Sequence, residues 1–338
     1  MNRNFMLASI IYTCICPIAV AQDTLFVERL DSIVQMGEYD GEKTIFHYTK
    51  EVPNIEINTL HFSDGIWTLA KKEERSLDEK GRTTHSDIET YMDHVSTERI
   101  CIHHIYNSQG FNTETTWNGS DNQQYMENGY CKRVFDEKGH LLQSLNYNVS
   151  GSIPLPLWET TTEYDSHGNA TSRMEKVWKE GEKAIHSKHQ WEYDRKGRQK
   201  LMQVFKYREG KPIWKGNIEY KYDKKGFLVE AVYIDDSEID MKRKTLFFYD
   251  SLGNLLMEKH EVLRKNVVED LSTEEYLYDT TMPSTRIQGN SYIVPYDKIY
   301  GEDTLPPHKY KLLEKRIIGN NGKTSVISYH YSGIKKTN

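Results

Sequence analysis

The chain has 338 residues, of which 37% are hydrophobic and 28% charged, and its formal net charge at pH 7 is −6. This charge balance lacks the basic surface that binding to nucleic acid requires, so it excludes that class of partner. Tyrosine is abundant, with 23 residues against 10 phenylalanines and 6 tryptophans. Because tyrosine favours strands and half-exposed surfaces, the composition predicts a β-rich protein without a deep helical core.

Residues 1–21 have the pattern of a signal peptide. The apolar stretch from Leu7 onward ends in Ala19-Val20-Ala21, the small-x-small pattern that a signal peptidase cleaves. No later apolar run approaches the roughly 18 residues that a membrane span needs. The sequence therefore predicts an exported protein without a membrane span, located in the periplasm, at the cell surface or in the medium.

Residues 22–76 are predicted to form an N-terminal cap and a degenerate first repeat. Asp23 or Thr24 could cap a short helix that ends at Gly37, and one side of it would carry the apolar residues Phe26, Leu30, Ile33 and Val34.

Residues 77–282 repeat one pattern, mostly with a period of 29 residues. Each unit has an aromatic residue or leucine, then Asp or Asn, and a glycine three residues further on. The repeated turn residues are Asp78 and Gly81, Asn107 and Gly110, Asp136 and Gly139, Asp165 and Gly168, Asp194 and Gly197, Asp223 and Gly226, and Asp250 and Gly253. An Asp or Asn side chain can bond the backbone ahead of it, and the glycine can take the left-handed conformation that returns the chain as a hairpin.

A second set of glycines predicts turns at the opposite end of each unit. Gly65, Gly181 and Gly210 each lie sixteen residues before a repeat glycine. Each unit then contains two strands of about ten residues, and the array has about fourteen to sixteen strands. We predict an all-β fold, an antiparallel β-hairpin repeat array. Its open sheet would curl, or be covered by the terminal segments or a second copy.

Residues 283–338 are predicted to hold a proline-containing loop and a C-terminal hairpin that caps the array. The hairpin would join Tyr310–Ile318 to Thr324–Tyr331 across Asn321-Gly322.

The aromatic-Asp-x-x-Gly pattern resembles the YD repeat of Rhs-type bacterial surface and toxin-shell proteins. It is seen in Tyr164-Asp165-Ser166-His167-Gly168 and Tyr193-Asp194-Arg195-Lys196-Gly197. In that family the repeats build a curling β-hairpin strip that can enclose a toxin domain. The period here is longer than the YD unit. The whole chain is more similar to small exported YD-like repeat proteins of a domain-of-unknown-function family, which end in a strand like Tyr329-His330-Tyr331-Ser332. The resemblance implies this fold and export, and it implies no reaction.

Motifs that carry enzymatic chemistry are missing from the sequence. It contains no Gly-x-Ser-x-Gly, phosphate-binding glycine loop, His-Glu-x-x-His or Cys-x-x-Cys pattern. The neighbours His103 and His104 would point to opposite faces of a strand and could not share a metal ion. The turn aspartates offer one carboxylate each, whereas calcium takes six or more oxygens. We therefore expect no catalytic residues, no metal and no cofactor.

Two cysteines, Cys101 and Cys131, remain after the predicted cleavage. Export favours a disulfide. However, the repeat register places the two residues on opposite faces of strands that are roughly 9–10 Å apart, beyond the ~7 Å limit for a bridge. We expect two free thiols.

Four tryptophans form the candidate binding site. Trp67, Trp117, Trp178 and Trp214 each lie within four residues of a second-turn glycine or of Gly119. As a row of exposed aromatic side chains they could stack on sugar rings or on a peptide strand. Alternatively, they plug the strand ends and cover the apolar face.

We expect an exported, non-enzymatic β-repeat protein that binds a glycan or a protein at the cell envelope. One alternative is a structural shell or assembly subunit whose aromatic face is covered by a second copy. Another is an unrecognised hydrolase that uses two carboxylates brought together by folding. The sequence does not identify the ligand or partner.

Overall fold

The computed structural model describes residues 28–36, 40–48, 54–92, 94–121, 128–150, 153–179, 181–235, 240–284, 287–288 and 310–333. The predicted signal peptide and most of the predicted proline-containing loop lie outside these residues.

The secondary-structure elements of the described residues are β-strands. They are β1 (Glu28–Met36), β2 (Gly41–Tyr48), β3 (Asn54–Ser63), β4 (Ile66–Leu77), β5 (Thr83–Met92), β6 (Val95–Tyr106), β7 (Asn112–Asp121), β8 (Asn128–Phe135), β9 (Leu141–Ser150), β10 (Ile153–Tyr164), β11 (Ala170–Lys179), β12 (Glu182–Tyr193), β13 (Gln199–Arg208), β14 (Lys211–Tyr222), β15 (Leu228–Asp235), β16 (Met241–Tyr249), β17 (Leu255–Arg264), β18 (Val267–Pro283), β19 (Ile287–Gln288), β20 (Tyr310–Ile318) and β21 (Thr324–Gly333).

The strands form a closed antiparallel barrel. From β1 to β18 each strand pairs with the next, and β18, β20 and β21 continue the meander. Strand β21 then pairs with β1, with Glu28 opposite Gly333 and Met36 opposite Val326. This last pairing joins twenty strands into a closed wall, and the two-residue β19 lies parallel to the start of β1.

The closed barrel corrects three predictions. The open, curled sheet is wrong, because β1 and β21 would be its free edges and they pair with each other. The N-terminal helix is wrong, because Leu30, Ile33 and Val34 belong to β1. The hairpin of β20 and β21 is part of the wall instead of a cap. The physical reason is shared: unpaired N–H and C=O groups on two sheet edges are a liability that barrel closure removes.

The repeat turns lie at one end of the barrel, which we call the repeat-turn rim, and the intervening turns lie at the opposite rim. In the turn at Asp194, the Gly197 N–H donates to the Asp194 carbonyl oxygen at 2.9 Å. Asp194 Oδ1 accepts from the N–H groups of Lys196 and Arg198 at 2.8 and 3.0 Å. Gly197 has a φ of 74°, in the left-handed region where a residue without a Cβ is favoured.

Tyrosine hydroxyls tie successive repeats together. At three of the turns the preceding tyrosine donates to a carbonyl oxygen of the preceding repeat, a bond that phenylalanine cannot make. These bonds join Tyr106 to Thr83 (2.8 Å), Tyr164 to Leu141 (3.1 Å) and Tyr193 to Ala170 (2.7 Å). A net contribution of about 0.5–1.5 kcal/mol is typical of each such bond.

Buried side chains alternate along the strands with more exposed ones, and the buried apolar ones form two clusters. The larger buried cluster contains Leu30, Phe46, Ile55, Ile57, Trp191, Met202, Val204, Ile218, Tyr220, Leu228, Ala231, Tyr233, Phe247, Leu255, Tyr276 and Leu312. A smaller cluster holds Ile88, Ile100, Ile102, Trp117 and Cys131. Both clusters bury apolar surface, which stabilises the fold by about 25 cal/mol per Å².

Candidate functional site

None of the four candidate tryptophans is an exposed side chain. Trp117 is buried in the smaller cluster, where its ring packs so closely on Gly129 that a Cβ there would lie 2.4 Å from it. Trp67 is partly buried and packs against Phe62, with ring centroids 5.1 Å apart.

The other two tryptophans are held by polar partners. Trp214 packs against the larger cluster, and its Nε1 donates to Asp235 Oδ1 at 2.6 Å. The ammonium group of Lys183 lies 4.9 Å from the ring centroid of Trp178. Little aromatic surface is left open on these rings for stacking on a sugar.

The repeat-turn carboxylates are occupied by bonds within their own turns. Asp194 Oδ2 accepts from Arg198 Nε at 2.8 Å, in addition to the two backbone bonds on Oδ1. The Arg198 side chain and these N–H groups hold the pKa of Asp194 at about 2. The same Oδ1 bonds to the second and fourth residues ahead recur at Asp78, Asp136, Asp165 and Asp250.

Exposed aliphatic side chains gather at the opposite rim. We call them the aliphatic rim: Met36, Ile66, Met92, Val95, Ile153, Leu155, Ile213, Val267 and Val268. Met92 and Val95 face each other across the β5–β6 turn. Near the repeat-turn rim, Leu252 is exposed on a turn tip, and other exposed apolar side chains lie beside the turns at Ile105, Val134, Leu142, Phe248, Leu256 and Leu277.

A buried polar network links the three neighbouring strands β17, β18 and β20. The Tyr276 hydroxyl oxygen lies 2.7 Å from Glu258 Oε1 and 2.9 Å from Glu274 Oε2, and Lys315 Nζ lies 2.7 Å from Glu274 Oε2. Burial and the two carboxylates raise the pKa of Tyr276. Glu258 is only 1% exposed, so solvent does not reach the carboxylates.

A second interior group surrounds His104. Its Nδ1 lies 3.1 Å from Thr115 Oγ1 and 3.0 Å from Asn112 Nδ2, and Arg133 donates to that threonine at 2.9 Å. Burial, assisted by Arg133 and Arg75, lowers the pKa of His104 to about 4. His104 is therefore neutral at pH 7 inside the barrel.

On the outer wall, three potential metal ligands meet on β5 and β6. His85 lies directly opposite His103, with 3.3 Å between their Nδ1 atoms. Cys101 Sγ lies 3.9 Å from His103 Nε2. Cys101 and Cys131 are both free thiols, the first partly exposed and the second buried.

The sequence analysis did not identify the aliphatic rim or the outer histidine pair, although local signals exist for both. Ile66 and Ile213 follow second-turn glycines within three residues, where an exposed tip is normally polar. His85 and His103 become partners once the β5–β6 turn fixes the strand register, because residues that pair across an antiparallel ladder share a face. His103 and His104, which are adjacent in the sequence, point to opposite faces of β6.

The fold defines the protein as a closed, antiparallel β-hairpin barrel. No protein-family model and no curated protein matches the chain. Among solved structures, it is similar to a Tc holotoxin pore from Photorhabdus luminescens, at 11% identity and a TM-score of 0.33, over 86% of this chain and 15% of that one. It is similar to the TcdB2–TccC3 complex at 12% identity and a TM-score of 0.31, over 84% of this chain and 16% of that one.

A porin-like protein from Bacteroides uniformis matches over 93% of this chain and 99% of its own, at 8% identity and a TM-score of 0.34. The chain spans about 15–16% of the length of the Tc toxin chains. Similarities of this size support no inference about function, and membership of the YD-repeat family stays a prediction. Among the described residues, no helix has the length and apolar character needed to cross a membrane.

Proposed function

We propose that the chain is an exported, non-enzymatic interaction module of the cell envelope, which binds a partner protein through the aliphatic rim. The observation that carries this proposal is that the four most exposed large apolar side chains among the described residues, Ile66, Met92, Ile153 and Val267, all lie at one end of the barrel. Export is supported by the apolar segment that ends in Ala19-Val20-Ala21.

The closed barrel limits where a partner can bind. Strands β1 and β21 pair with each other, so neither provides a free edge for an added strand. The interior face of the wall carries the buried clusters and polar networks. Exposed apolar side chains lie on the outer surface near both rims, but the four most exposed ones among the described residues, Ile66, Met92, Ile153 and Val267 at 63–68%, all lie on the opposite rim. Apolar groups of this kind bordered by polar ones are typical of interaction sites.

The chemistry of the aliphatic rim favours a protein over a glycan or a lipid surface. Sugar recognition by stacking needs open aromatic faces, and Trp117 is buried while Trp214 is packed and hydrogen bonded. Exposed carboxylates on the same rim, such as Glu182 and Glu209, are matched by exposed basic side chains, such as Lys183 and Lys211, so the rim lacks the net positive charge that an anionic lipid surface attracts. Aliphatic side chains among charges of both signs suit a protein face that is apolar at its centre and polar at its edge.

The interior carboxylates support a non-enzymatic role. Glu258 and Glu274 are close to each other, as a pair of hydrolase carboxylates would be. However, they share the Tyr276 hydroxyl and Glu274 is paired with Lys315. Since both side chains are sealed from solvent, a substrate does not reach them. Their arrangement is that of a structural network.

Site-specific photo-crosslinking tests the proposal. A photoreactive residue is placed at Ile213 of the full-length chain, in the cells that naturally make it, and the matched control carries it at Leu252 on the repeat-turn rim. The two side chains are similarly exposed, at 56% and 51%. We expect a discrete adduct with another protein at position 213 and none at position 252.

Three results would overturn the proposal. Equal adducts at both positions would show non-specific contact. An adduct of twice the chain mass would show that a second copy of the chain binds this rim, as expected for a structural assembly subunit. An adduct with lipid alone would show that the aliphatic rim contacts a membrane instead of a protein.

A further inference from the structure

We propose that His85, Cys101 and His103 form a binding site for a borderline-soft divalent metal ion such as Zn²⁺ on the outer wall of the barrel. This inference concerns β5 and β6 and is independent of the aliphatic rim.

The strand register brings the three side chains to one face. His85 pairs with His103 and Asp87 with Cys101 across the β5–β6 ladder. The alternate residues Ser86, Ile100 and Ile102 are buried. Because successive strand residues point to opposite faces, His85, Cys101 and His103 point outward.

The distance between the two histidines suits tetrahedral coordination, since their Nδ1 atoms are 3.3 Å apart. One ligand atom from each of the three residues lies within 4.8 Å of the other two. Cys101 Sγ lies 3.9 Å from the other ring nitrogen of His103, Nε2, so the Cys101 side chain must turn towards the two Nδ1 atoms to join the same ion. With Zn–N bonds of about 2.0–2.1 Å, a tetrahedral site has an N···N edge of roughly 3.3–3.4 Å. Imidazole nitrogen and thiolate sulfur are ligands that Zn²⁺ prefers. A solvent molecule would complete the fourth position.

The surroundings leave the three ligands available. The nearest carboxylate on the same face, Asp87, is engaged by Arg99, whose Nε lies 3.0 Å from Asp87 Oδ1. Cys101 is partly exposed and His103 exposed, so an ion can enter from solvent. Burial and the negative charge of Asp87 raise the pKa of the Cys101 thiol. Metal binding must therefore release that proton, and affinity should fall with falling pH.

The interior group of Glu258, His260 and Glu274 is a weaker candidate, although its ligand atoms are equally close. Lys315 places a fixed positive charge 2.7 Å from Glu274, and that charge opposes a cation. The group is also closed to entry, because both carboxylates are buried.

Cobalt spectroscopy on the reduced, metal-free full chain, purified without a histidine tag, tests the site. Co²⁺ is the probe, because a thiolate–cobalt charge-transfer absorption reports the Cys101 bond directly. We expect one equivalent of Co²⁺ to produce this absorption and one equivalent of Zn²⁺ to displace it. Cys101→Ser should abolish the absorption, and His85→Gln and His103→Gln should each weaken binding at least tenfold.

Two controls separate coordination from misfolding. His167→Gln changes an exposed histidine, and Cys131→Ala removes the other thiol. Both should keep the absorption, and the ligand variants should keep the circular dichroism spectrum of the unaltered chain. The proposal is overturned if no charge-transfer absorption forms, if it survives Cys101→Ser in the folded protein, or if it disappears with Cys131→Ala while the fold is retained.

Discussion

At the residue scale, the repeat tyrosines combine packing with a bond to the previous repeat. Tyr193 donates to the carbonyl oxygen of Ala170 at 2.7 Å, whereas the Tyr249 hydroxyl, in the corresponding place two units later, is buried without a hydrogen-bond partner among the described residues. The two positions therefore form a natural matched pair.

We predict that Tyr193→Phe lowers the free energy of unfolding by about 1 kcal/mol, since it removes one bond and leaves the carbonyl with one partner fewer. Tyr249→Phe should be neutral or stabilising, because it removes a buried polar group that lacks a partner. Urea denaturation of both variants measures the difference. Equal losses at the two positions would contradict the role given to the hydroxyl bond.

His104 should make stability depend on pH. Its pKa is about 4 in the folded protein, through burial and the nearby Arg133 and Arg75, and near 6.5 when unfolded. Between these values the unfolded chain binds more protons, so stability falls as the pH is lowered from about 6.5 towards 4.

We predict that His104→Gln reduces this slope in unfolding experiments between pH 4 and 6.5. Part of the slope should remain, because burial also lowers the pKa of His189 and His260. His167→Gln makes the same substitution at a histidine whose side chain is 83% exposed and controls for the change of residue type. If His104→Gln left the pH dependence of the unfolding free energy unchanged, the folded protein would not be holding His104 in its neutral form.

At the element scale, each hairpin depends on a glycine in the left-handed region. A Cβ at Gly197 would meet no atom within 4 Å, whereas at Gly139 it would lie 2.4 Å from the Phe111 ring, which is itself stacked on Phe135. The first position isolates the cost of the backbone conformation, and the second adds a steric cost.

We predict that Gly197→Ala destabilises the protein by about 1–2 kcal/mol, from the backbone alone. Gly139→Ala should cost roughly 1–3 kcal/mol more, because the stacked ring must move. Thermal unfolding of the two variants gives the comparison. Equal losses would mean that the Phe111 ring adapts without cost.

The hairpins were predictable from the sequence because their determinants are local. Asp194 and Gly197 stand three residues apart and suffice to specify a turn. Strand β1 was not predictable, because the spacing of Leu30, Ile33 and Val34 also fits one side of a helix. Its conformation is decided by pairing with β21, almost 300 residues away along the chain. No local pattern encodes a partner at that distance.

The candidate sites also differ in how far the local sequence determines them. The tryptophans were found by their nearness to turns, but burial depends on the opposite strands, as the contact of Trp117 with Gly129 illustrates. His85 and His103 are eighteen residues apart and meet only through the register of β5 and β6. That register could have been inferred from the turn, so the pair was within reach of sequence reasoning.

At the scale of the whole molecule, closure explains how a long sheet with an aromatic face can exist without a cover. The interior-facing register buries both apolar clusters and polar networks, so the face predicted to need a second copy is enclosed by the chain itself. Closure also leaves the two rims as distinct surfaces, and the most exposed aliphatic side chains lie on the rim opposite the repeat turns.

The pairing of β1 with β21 is best tested by an engineered disulfide between Gln35→Cys and Ile327→Cys, which are register partners. Opposite residues of an antiparallel pair have Cα atoms about 4.5–5.5 Å apart, within the range for a bridge. With Cys101 replaced by serine, the closed barrel predicts an intramolecular disulfide under mild oxidation, and a control pair at Gln35 and Val134 should form none. An open sheet of twenty strands would hold Gln35 and Ile327 roughly 90 Å apart, so a reduced chain, or a disulfide between two copies, would contradict the barrel.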